Sequence, residues 1–224
     1  LIEPVHRYGG SVIGFAGDAI TCWFDARAGQ RLPLTNRIEN ASLRAVAAAL
    51  EMQAGLAQFA AIHTLAGTAV SLNVKAAIAA GPVRRFLVGN PAIQRIDTLA
   101  GTILARVAAA EKYAGQGEVI VGRKLALSLG AALCVSAWRG GEQYAVVGGL
   151  AAAVEPQPWL LLPAALPAEL SRQWVLPAVY EQLHSGAGSL GDLRPVTPLM
   201  LRFGGIDFDA DDDARAKLDA FVCW

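Results

Sequence analysis

The sequence predicts an α/β fold in which helices cover a sheet built largely from hairpins, an α+β sandwich. Runs of β-branched and aromatic residues occur in pairs on either side of glycine-containing turns, as expected of hairpins. Long alanine-rich segments, whose apolar residues recur at spacings of three and four, separate these pairs and indicate helices. Helices interleaved with hairpins favour layers of helix and sheet around one core.

The first hairpin covers residues 11–24, where the runs SVIGFA and AITCWF meet at Gly17 and Asp18. A Gly-Asp pair between two such runs is typical of a tight hairpin turn, so Asp18 is expected at the tip of the hairpin and the end of a sheet. On the tetrapeptide alone, the simpler interpretation is structural, because aspartate tolerates the backbone of such turns.

The following elements are predicted from the same two periodicities. The long helix from Leu34 to about Ala66 would be capped by Asn40 or Ser42. Further along, the sequence predicts a strand, turn and strand over 70–90 around Gly81-Pro82, a helix over 92–114, a buried strand over 117–122, a short helix over 123–130 and a hairpin over 132–149.

The composition changes after Leu150 to a segment punctuated by proline and glycine, with one short helix over 177–186. A strand then restarts over 195–209, and a helix over 209–222 is expected to carry acidic residues in its first turn. These changes predict three parts, namely a domain over 1–150, a linker over 151–193 and the start of a second domain over 194–224.

The charge balance excludes some partners. Nineteen basic and nineteen acidic residues among 224 give no net charge, so neither a nucleic acid nor a membrane surface is expected to bind. The longest apolar stretches, over 150–154 and 159–167, are well under the roughly 20 residues of a bilayer span. Three scattered cysteines, Cys22, Cys134 and Cys223, indicate a reducing compartment. We therefore expect a cytoplasmic protein, and the alanine-rich composition fits a bacterial source.

Three stretches in a fixed order resemble the class III nucleotide cyclase family, and within it the two-domain type related to soluble adenylyl cyclase. They are YGGSVIGFAGDAITCWF, then VKAAIAAGPVRRFLVGNPAIQRIDTLAGTILARVAAAEKYAGQGEVIVG, and finally WVLPAVYEQLHSGAGSLGDLRPVTPLMLRFGGIDFD. With the helix between the first two, they cover nearly the whole chain. Each stretch alone is only a modest indication of the family, whereas the three stretches in this order are a specific one.

The resemblance implies a class III cyclase fold, with a ferredoxin-like core and a mixed or antiparallel sheet flanked by helices, in which the first strand and helix of the first domain are missing. It also implies conversion of ATP into 3′,5′-cyclic AMP and pyrophosphate. By match, Asp18 is the catalytic carboxylate that binds a pair of Mg²⁺ or Mn²⁺ ions, and Phe15, Ala16 and Gly17 of the same turn lie at the nucleotide. The partner is the second cyclase domain of the same chain, and the first domain alone is expected to be inactive.

Departures from the family pattern are also informative. Where complete sites place an asparagine and, four residues on, an arginine, this chain has Ile93 and Asp97. The position of a metal aspartate in the second domain is Arg202, so the resemblance implies that the first domain binds the metals and the second supplies base and phosphate contacts. Relatives that respond to bicarbonate have a lysine where Gly14 stands and an arginine that Arg95 matches only to within one residue, which argues against bicarbonate regulation.

Other interpretations remain open. One is a catalytically silent, cyclase-like module that binds a nucleotide or a partner domain, and another is a structural α/β domain in which Asp18 only makes a turn. Lys75 alternates with apolar residues and is expected to point to solvent from a strand. The run Asp207–Asp213 does not match a calcium loop, because Asp212 and Leu218 occupy the positions that require glycine and glutamate.

Overall fold

The structure is a computed structural model that describes residues 1–26, 34–59, 61–63, 67–159, 166–185, 195 and 197–224. The chain divides into two compact units, Leu1–Pro82 with Thr102–Leu160, and Val83–Gly101 with Leu161–Trp224. Within the described ranges, every helix is too short or too polar to cross a lipid bilayer.

Helices are interleaved with groups of strands as far as Leu150, and the last three described elements are helices. In order, the described helices and strands are α1 (Ile2–Arg7), β1 (Gly10–Ala16), β2 (Ala19–Phe24), α2 (Leu34–Leu56), β3 (Ile62–His63), β4 (Ala69–Val70), β5 (Ala76–Ile78), β6 (Arg84–Val88), β7 (Ile96–Ala100), α3 (Thr102–Glu111), β8 (Val119–Gly122), α4 (Arg123–Leu129), β9 (Leu133–Arg139), β10 (Tyr144–Leu150), α5 (Ala168–Arg172), α6 (Pro177–His184) and α7 (Ala214–Cys223).

The first unit is built on a four-stranded sheet with the strand order β5-β8-β10-β9. Strand β5 runs parallel to β8, whereas β10 is antiparallel to both of its neighbours, so the sheet is mixed. Val119, Ile120 and Val121 of β8 are fully buried. A strand that is buried on both faces is expected to be continuously apolar, which is why the run in GEVIVG predicts this strand correctly.

Helices cover both faces of this sheet. On one face, Val46 and Ala49 of α2 and the apolar side of α4 pack against Val119 and Val121. On the other face, Ala110 of α3 packs against Ile120. Successive residues of a strand point to opposite faces, and β8 therefore contributes to both cores. The predicted α/β sandwich is confirmed.

The second unit is built around the antiparallel hairpin of β6 and β7. Phe86 and Val88 of β6 are buried against Ala214 and Leu218 of α7. The Phe86 ring also lies against Phe208, with 5.9 Å between the ring centroids. The C-terminal helix thus has its apolar face covered within this unit.

The long helix starts at the predicted residue but ends earlier than predicted, and its predicted cap residues are wrong. It starts at Leu34 and ends at Leu56, and Ile62–His63 form a short strand instead of helix; residues 60 and 64–66 lie outside the described part. Neither Asn40 nor Ser42 is an N-cap, because both lie inside the helix, where the Ser42 hydroxyl donates to the Ile38 carbonyl at 2.8 Å. Because the helix begins upstream of both residues, their side chains lie inside it and form hydrogen bonds within the helix instead of capping its first turn.

The helix predicted over 92–114 is wrong in its first half. Ile96–Ala100 is a strand that pairs with β6, and the helix runs only from Thr102 to Glu111. The residue between them, Gly101, has φ 128°, which ends the strand at a backbone conformation that favours glycine. Cross-strand pairing with β6 outweighs a local apolar period that fits a helix equally well.

The strand predicted over 195–209 is absent from the described part of that range. Leu199, Met200 and Leu201 are 75–95% exposed, and this segment is paired with no described strand. A strand requires a partner for its backbone groups, which an apolar sequence cannot supply by itself.

The acidic run before α7 forms turns rather than the first turn of the helix. No acidic residue lies in the first turn of α7, contrary to prediction. The Asp207 carboxylate accepts hydrogen bonds from the N–H groups of Asp209 and Ala210, and Asp211 accepts one from Asp213. Short carboxylate side chains bind nearby backbone in this way, and here they shape the entry to the helix.

The described part of the segment between the two predicted domains carries two helices. α6 (Pro177–His184) confirms the helix predicted over 177–186, although residue 186 lies outside the described part. α5 (Ala168–Arg172) was not predicted, because five residues are too few to show a helical period.

Candidate functional site

The hairpin of β1 and β2 carries the candidate carboxylate. The strands are antiparallel, with Ala16 opposite Ala19, so Gly17 and Asp18 form a two-residue turn. Gly17 has φ 62°, in the left-handed region that glycine adopts without strain. Asp18 is exposed, and its side chain makes no hydrogen bond or ion pair with any described residue. The predicted position of Asp18 at the hairpin tip is therefore correct, and its carboxylate is accessible.

Burial decreases from the base of the hairpin to its tip. Gly10 is buried at the start of β1, the following residues are half-buried, and Phe15 and Ala16 are exposed. The Phe15 side chain is 67% exposed, which is unusual for a large apolar ring. The pairing register shifts between Val12 and Gly14, and such an irregularity bends a strand locally. The tip therefore extends away from the core and presents Phe15 together with Asp18.

One arginine of α2 holds both strands of the hairpin at its base. Arg44 Nη1 donates to the Tyr8 carbonyl at 2.8 Å and to the Gly9 carbonyl at 3.3 Å, just before β1. Its Nη2 donates to the Asp25 carbonyl at 3.0 Å, just after β2. Its Nε donates to Asn40 Oδ1, also at 3.0 Å. The guanidinium thus bridges the two ends of the hairpin and ties both to one helix.

Arg44 is a buried cation, with a relative exposure of 1%. Burial lowers its pKa, and the nearby charge of Asp25 acts in the opposite direction. A buried charge is tolerated when its polar atoms are hydrogen-bonded, and here all three guanidinium nitrogens have partners. The Phe24 ring lies 6.0 Å from the guanidinium carbon and adds a weak cation–π contact.

The glycine pair before β1 is required by space. A Cβ added to Gly9, which has φ 66°, would lie 2.5 Å from the Gln157 carbonyl oxygen and 3.0 Å from Arg44 Nη1. A Cβ added to Gly10 would lie 2.6 Å from the Phe24 ring and 2.8 Å from Val5. The sequence YGG therefore marks the place where α1, β2, Arg44 and a later segment converge on the hairpin.

The segment after β10 also reaches the base of the hairpin. The Trp159 indole N–H donates to the Gly10 carbonyl at 2.7 Å, and the Gln157 backbone N–H donates to the Arg7 carbonyl at 2.9 Å. The residues that leave the first predicted domain thus run back along the start of β1. Neither Arg44 nor Trp159 was recognised from the sequence, although Arg44 occurs at helical spacing between the buried residues Ala41 and Ala48, which is a detectable signal.

Asp18 is the residue that the sequence predicts to bind a metal ion. No group of three histidine, cysteine or acidic side chains that could hold a metal ion lies within the described ranges. Asp18 fits the role of a single carboxylate ligand, because Mg²⁺ is commonly held by one or two carboxylates together with phosphate oxygens and water.

Other residues singled out from the sequence belong to the second unit. Asp97 accepts two hydrogen bonds from Arg85 Nε, at 2.8 and 3.0 Å, and a shorter one from its Nη2. Ile93 is 59% exposed, and Arg202 is exposed as well. Asp97, which stands where complete sites carry an arginine, is thus engaged in a cross-strand ion pair.

Two basic residues with predicted roles are also placed. Lys75, at the edge of β5, forms an ion pair with Glu111 of α3 at 2.6 Å and is 43% exposed, which agrees with the predicted solvent-facing position. The backbone N–H of Arg95 donates to the Gln173 carbonyl, and its Nε is buried without a partner among the described residues.

Comparisons with known proteins identify the fold. No protein-family model matches the sequence, and no curated protein matches it either. Solved structures do match, among them guanylyl and adenylyl cyclases. The guanylyl cyclase Cya2 is 21% identical, with a TM-score of 0.51 over 66% of this chain and 74% of that chain.

Two further structures are similar at lower scores. The guanylate cyclase domain of RhGC from Catenaria anguillulae, in complex with GTP, is 16% identical over 66% of this chain and 77% of that chain, with a TM-score of 0.49. The adenylyl cyclase CyaB from P. aeruginosa is 14% identical over 66% of this chain and 76% of that chain, with a TM-score of 0.45. The likeness to Cya2 shows that this chain has the fold of a nucleotide cyclase catalytic domain, so the resemblance to class III cyclases is confirmed at the level of the fold.

Proposed function

We propose that this chain is the metal-binding half of a nucleotide cyclase that converts ATP into 3′,5′-cyclic AMP and pyrophosphate. The observation that carries the proposal is the accessible carboxylate of Asp18 at the tip of an exposed hairpin, in a domain with the cyclase fold. Fold alone hosts many functions, and the argument therefore depends on this site.

In the proposed reaction, the ribose 3′-oxygen attacks the α-phosphorus in line with the departing pyrophosphate. A bond forms between the 3′-oxygen and phosphorus, the bond from phosphorus to the bridging oxygen of pyrophosphate breaks, and the proton of the 3′-hydroxyl passes to solvent water. Bound Mg²⁺ or Mn²⁺ ions would neutralise charge on the triphosphate and lower the pKa of the hydroxyl. Asp18 would hold these ions, and Gly17, Ala16 and Phe15 would face the nucleotide at the same turn.

The proposed active site is shared between two domains. Residues 1–150 would form the first cyclase domain, residues 151–193 the linker, and residues 194–224 would belong to the second domain. The ion pair of Asp97 with Arg85 supports this arrangement, because it occupies a position where a self-sufficient site would present a free arginine to the substrate. The second domain would supply the contacts to base and phosphates.

ATP is proposed as the substrate because the motifs resemble the soluble adenylyl cyclase type. Cya2, whose structure supports the fold, is a guanylyl cyclase. Both nucleotides therefore belong in the same assay. Formation of cyclic GMP in preference to cyclic AMP would overturn the choice of ATP and leave the cyclase proposal standing.

The test compares Asp18→Asn with wild type in a protein that carries both complete domains. With ATP and either Mg²⁺ or Mn²⁺, we expect cyclic AMP formation to fall by about 100-fold or more, because the variant loses a metal-binding carboxylate but keeps its shape. Asp212→Asn is the matched control, since Asp212 is also exposed but lies in the acidic turns before α7. Equal activity of Asp18→Asn and wild type would refute the assigned role of Asp18.

A second candidate function is a silent cyclase-like module that binds nucleotide or a partner domain. It is favoured because no group of three or more histidine, cysteine or acidic side chains that could hold a metal ion lies within the described ranges. A folded two-domain protein that binds ATP but makes no cyclic nucleotide with either metal would support this alternative.

A further inference from the structure

The base of the β1-β2 hairpin is held by hydrogen bonds from two side chains, Arg44 and Trp159, to backbone carbonyls. We propose that Arg44 is a positioning residue which, with Trp159 as a second contact, sets where the hairpin presents Asp18 to the metal–nucleotide complex. This inference rests on the proposed function and deepens it, because it assigns the position of the metal carboxylate to two residues that do not touch the metal.

The Arg44 guanidinium matches the positions of backbone carbonyls at both ends of the hairpin. A guanidinium is planar and holds its donors in a fixed fork, whereas a lysine ammonium is a compact point charge on a flexible chain. Arg44 uses this fork to bind carbonyls that precede β1 (Tyr8 and Gly9) and one that follows β2 (Asp25). The distance between the two ends of the hairpin, and their orientation on α2, are thereby set by one rigid group.

A small tilt at the base of the hairpin moves its tip by a much larger distance. β1 has seven residues, and at about 3.3 Å per residue the base lies roughly 23 Å from the tip. A tilt of about 5° at the base would therefore move Asp18 by about 2 Å. That displacement equals a whole Mg²⁺–oxygen distance of about 2.0–2.1 Å, a geometry that this ion enforces strictly. Since the tip half is exposed, its position depends mainly on the base.

The burial of the Arg44 charge costs free energy. Desolvating a charge is costly, and well-packed apolar residues often replace a buried ionic group without loss of stability. Stability alone therefore does not explain a fully buried arginine on the apolar face of α2, among Ala41, Ala48 and other core residues. A role in fixing one geometry of the hairpin does explain it.

Trp159 supplies the second contact from a distant part of the chain. Its indole N–H donates to the carbonyl of Gly10, which is the first residue of β1. Trp159 as a whole is 52% exposed. The adjacent carbonyl, that of Gly9, is held by Arg44. Two successive carbonyls at the start of β1 are thus bound by side chains from two distant parts of the chain. One side chain belongs to α2, and the other to the segment that follows β10.

The experiment uses the protein with both complete cyclase domains and compares wild type, Arg44→Lys and Trp159→Phe. Arg106→Lys is the control, since Arg106 is exposed on α3. Amide hydrogen exchange is followed in residues 10–24 and, as an internal reference, in residues 119–122 and 144–150. Cyclic AMP formation is measured as a function of Mn²⁺ concentration at saturating ATP.

For Arg44→Lys, we expect amide exchange in the hairpin to become about tenfold faster while exchange in the reference strands stays unchanged. The Mn²⁺ concentration for half-maximal activity should rise about tenfold, with kcat at saturating Mn²⁺ within about twofold of wild type. Trp159→Phe should shift both quantities in the same direction by less, because it removes one hydrogen bond from a half-exposed side chain. If Arg44→Lys does not fold, Trp159→Phe decides.

Three results would overturn the proposal. One is unchanged exchange in the hairpin. Another is faster exchange in all strands alike, which would show a general loss of stability. The third is a fall in kcat without a shift in the Mn²⁺ dependence. A wild-type protein that makes no cyclic nucleotide would refute the proposed function, and the role of Arg44 toward the metal with it, even if hairpin exchange still responded to the substitutions.

Discussion

At the scale of single residues, the candidate site depends on small side chains as much as on charged ones. Gly9 and Gly10 leave the space that the Gln157 carbonyl, the Phe24 ring and Val5 occupy. The motif YGG is therefore a packing requirement at the base of the hairpin, whereas Gly17 at its tip is a requirement of backbone conformation.

The glycine argument leads to a test with a control in the same strand. Gly10→Ala should lower the free energy of unfolding by about 1–3 kcal/mol, because the new methyl would overlap the Phe24 ring and Val5. Gly14→Ala should leave the stability within about 1 kcal/mol of wild type, since no atom lies within 4 Å of the added Cβ. Urea denaturation of both variants measures the difference, and equal stability would contradict the packing argument.

Thiol reactivity offers a second test at this scale. Burial raises the pKa of Cys22 on β2, so less of its thiolate is present at a given pH than for an exposed cysteine. We expect Cys22 to react with a disulfide reagent at pH 8 about tenfold more slowly than Cys134, which is exposed. The rates are measured in variants that retain one cysteine each, and they should become equal in urea. A faster reaction at Cys22 would indicate that the hairpin opens readily.

At the scale of elements, α7 begins with an ion pair that sets a pH dependence. A hydrogen bond from Lys217 lowers the pKa of Asp211, and the same contact raises the pKa of Lys217. Because the folded pKa of Asp211 lies below the unfolded one, its contribution to stability is present above the unfolded pKa and is lost as the pH falls through the folded pKa.

This pH dependence is tested by carboxyl chemical shifts. In the wild-type protein, Asp211 should titrate below the ordinary range of aspartate, and in Lys217→Gln its pKa should move up toward that range. Asp212, which is exposed in the same run, serves as the internal reference. A pKa of Asp211 that does not respond to Lys217→Gln would show that the ion pair is not formed in solution.

At the scale of the whole molecule, the proposed catalytic site consists of Asp18 together with contacts from a second cyclase domain. We expect this chain by itself to form no cyclic nucleotide from ATP or GTP with Mg²⁺ or Mn²⁺, because two-metal catalysis needs a second carboxylate and a complementary domain. Chromatography of the reaction mixture measures the product. Activity of the isolated chain would show that one domain completes the site, for example by pairing with a second copy.

Prediction from sequence succeeded where a local pattern suffices. The hairpin tip at Gly17-Asp18, the buried strand Val119–Gly122 and the hairpin of β9 and β10 each have a strong period and a distinct turn. Prediction was wrong for Ile96–Ala100 and for the restarted strand over 195–209, where pairing decides. An apolar run is compatible with helix and strand alike until a partner strand is present.

The sequence by itself determined the class of the fold, the hairpins β1-β2 and β9-β10 and the place of Asp18 on its turn, because these follow from strong patterns between near neighbours in the chain. Only the tertiary structure decided how the hairpin is held. Arg44 meets the Tyr8 carbonyl 36 positions away, and Trp159 meets the Gly10 carbonyl 149 positions away. Such hydrogen bonds depend on which backbone carbonyls the fold brings to a side chain. Because every residue has the same backbone carbonyl, the sequence does not show which carbonyl will be the partner.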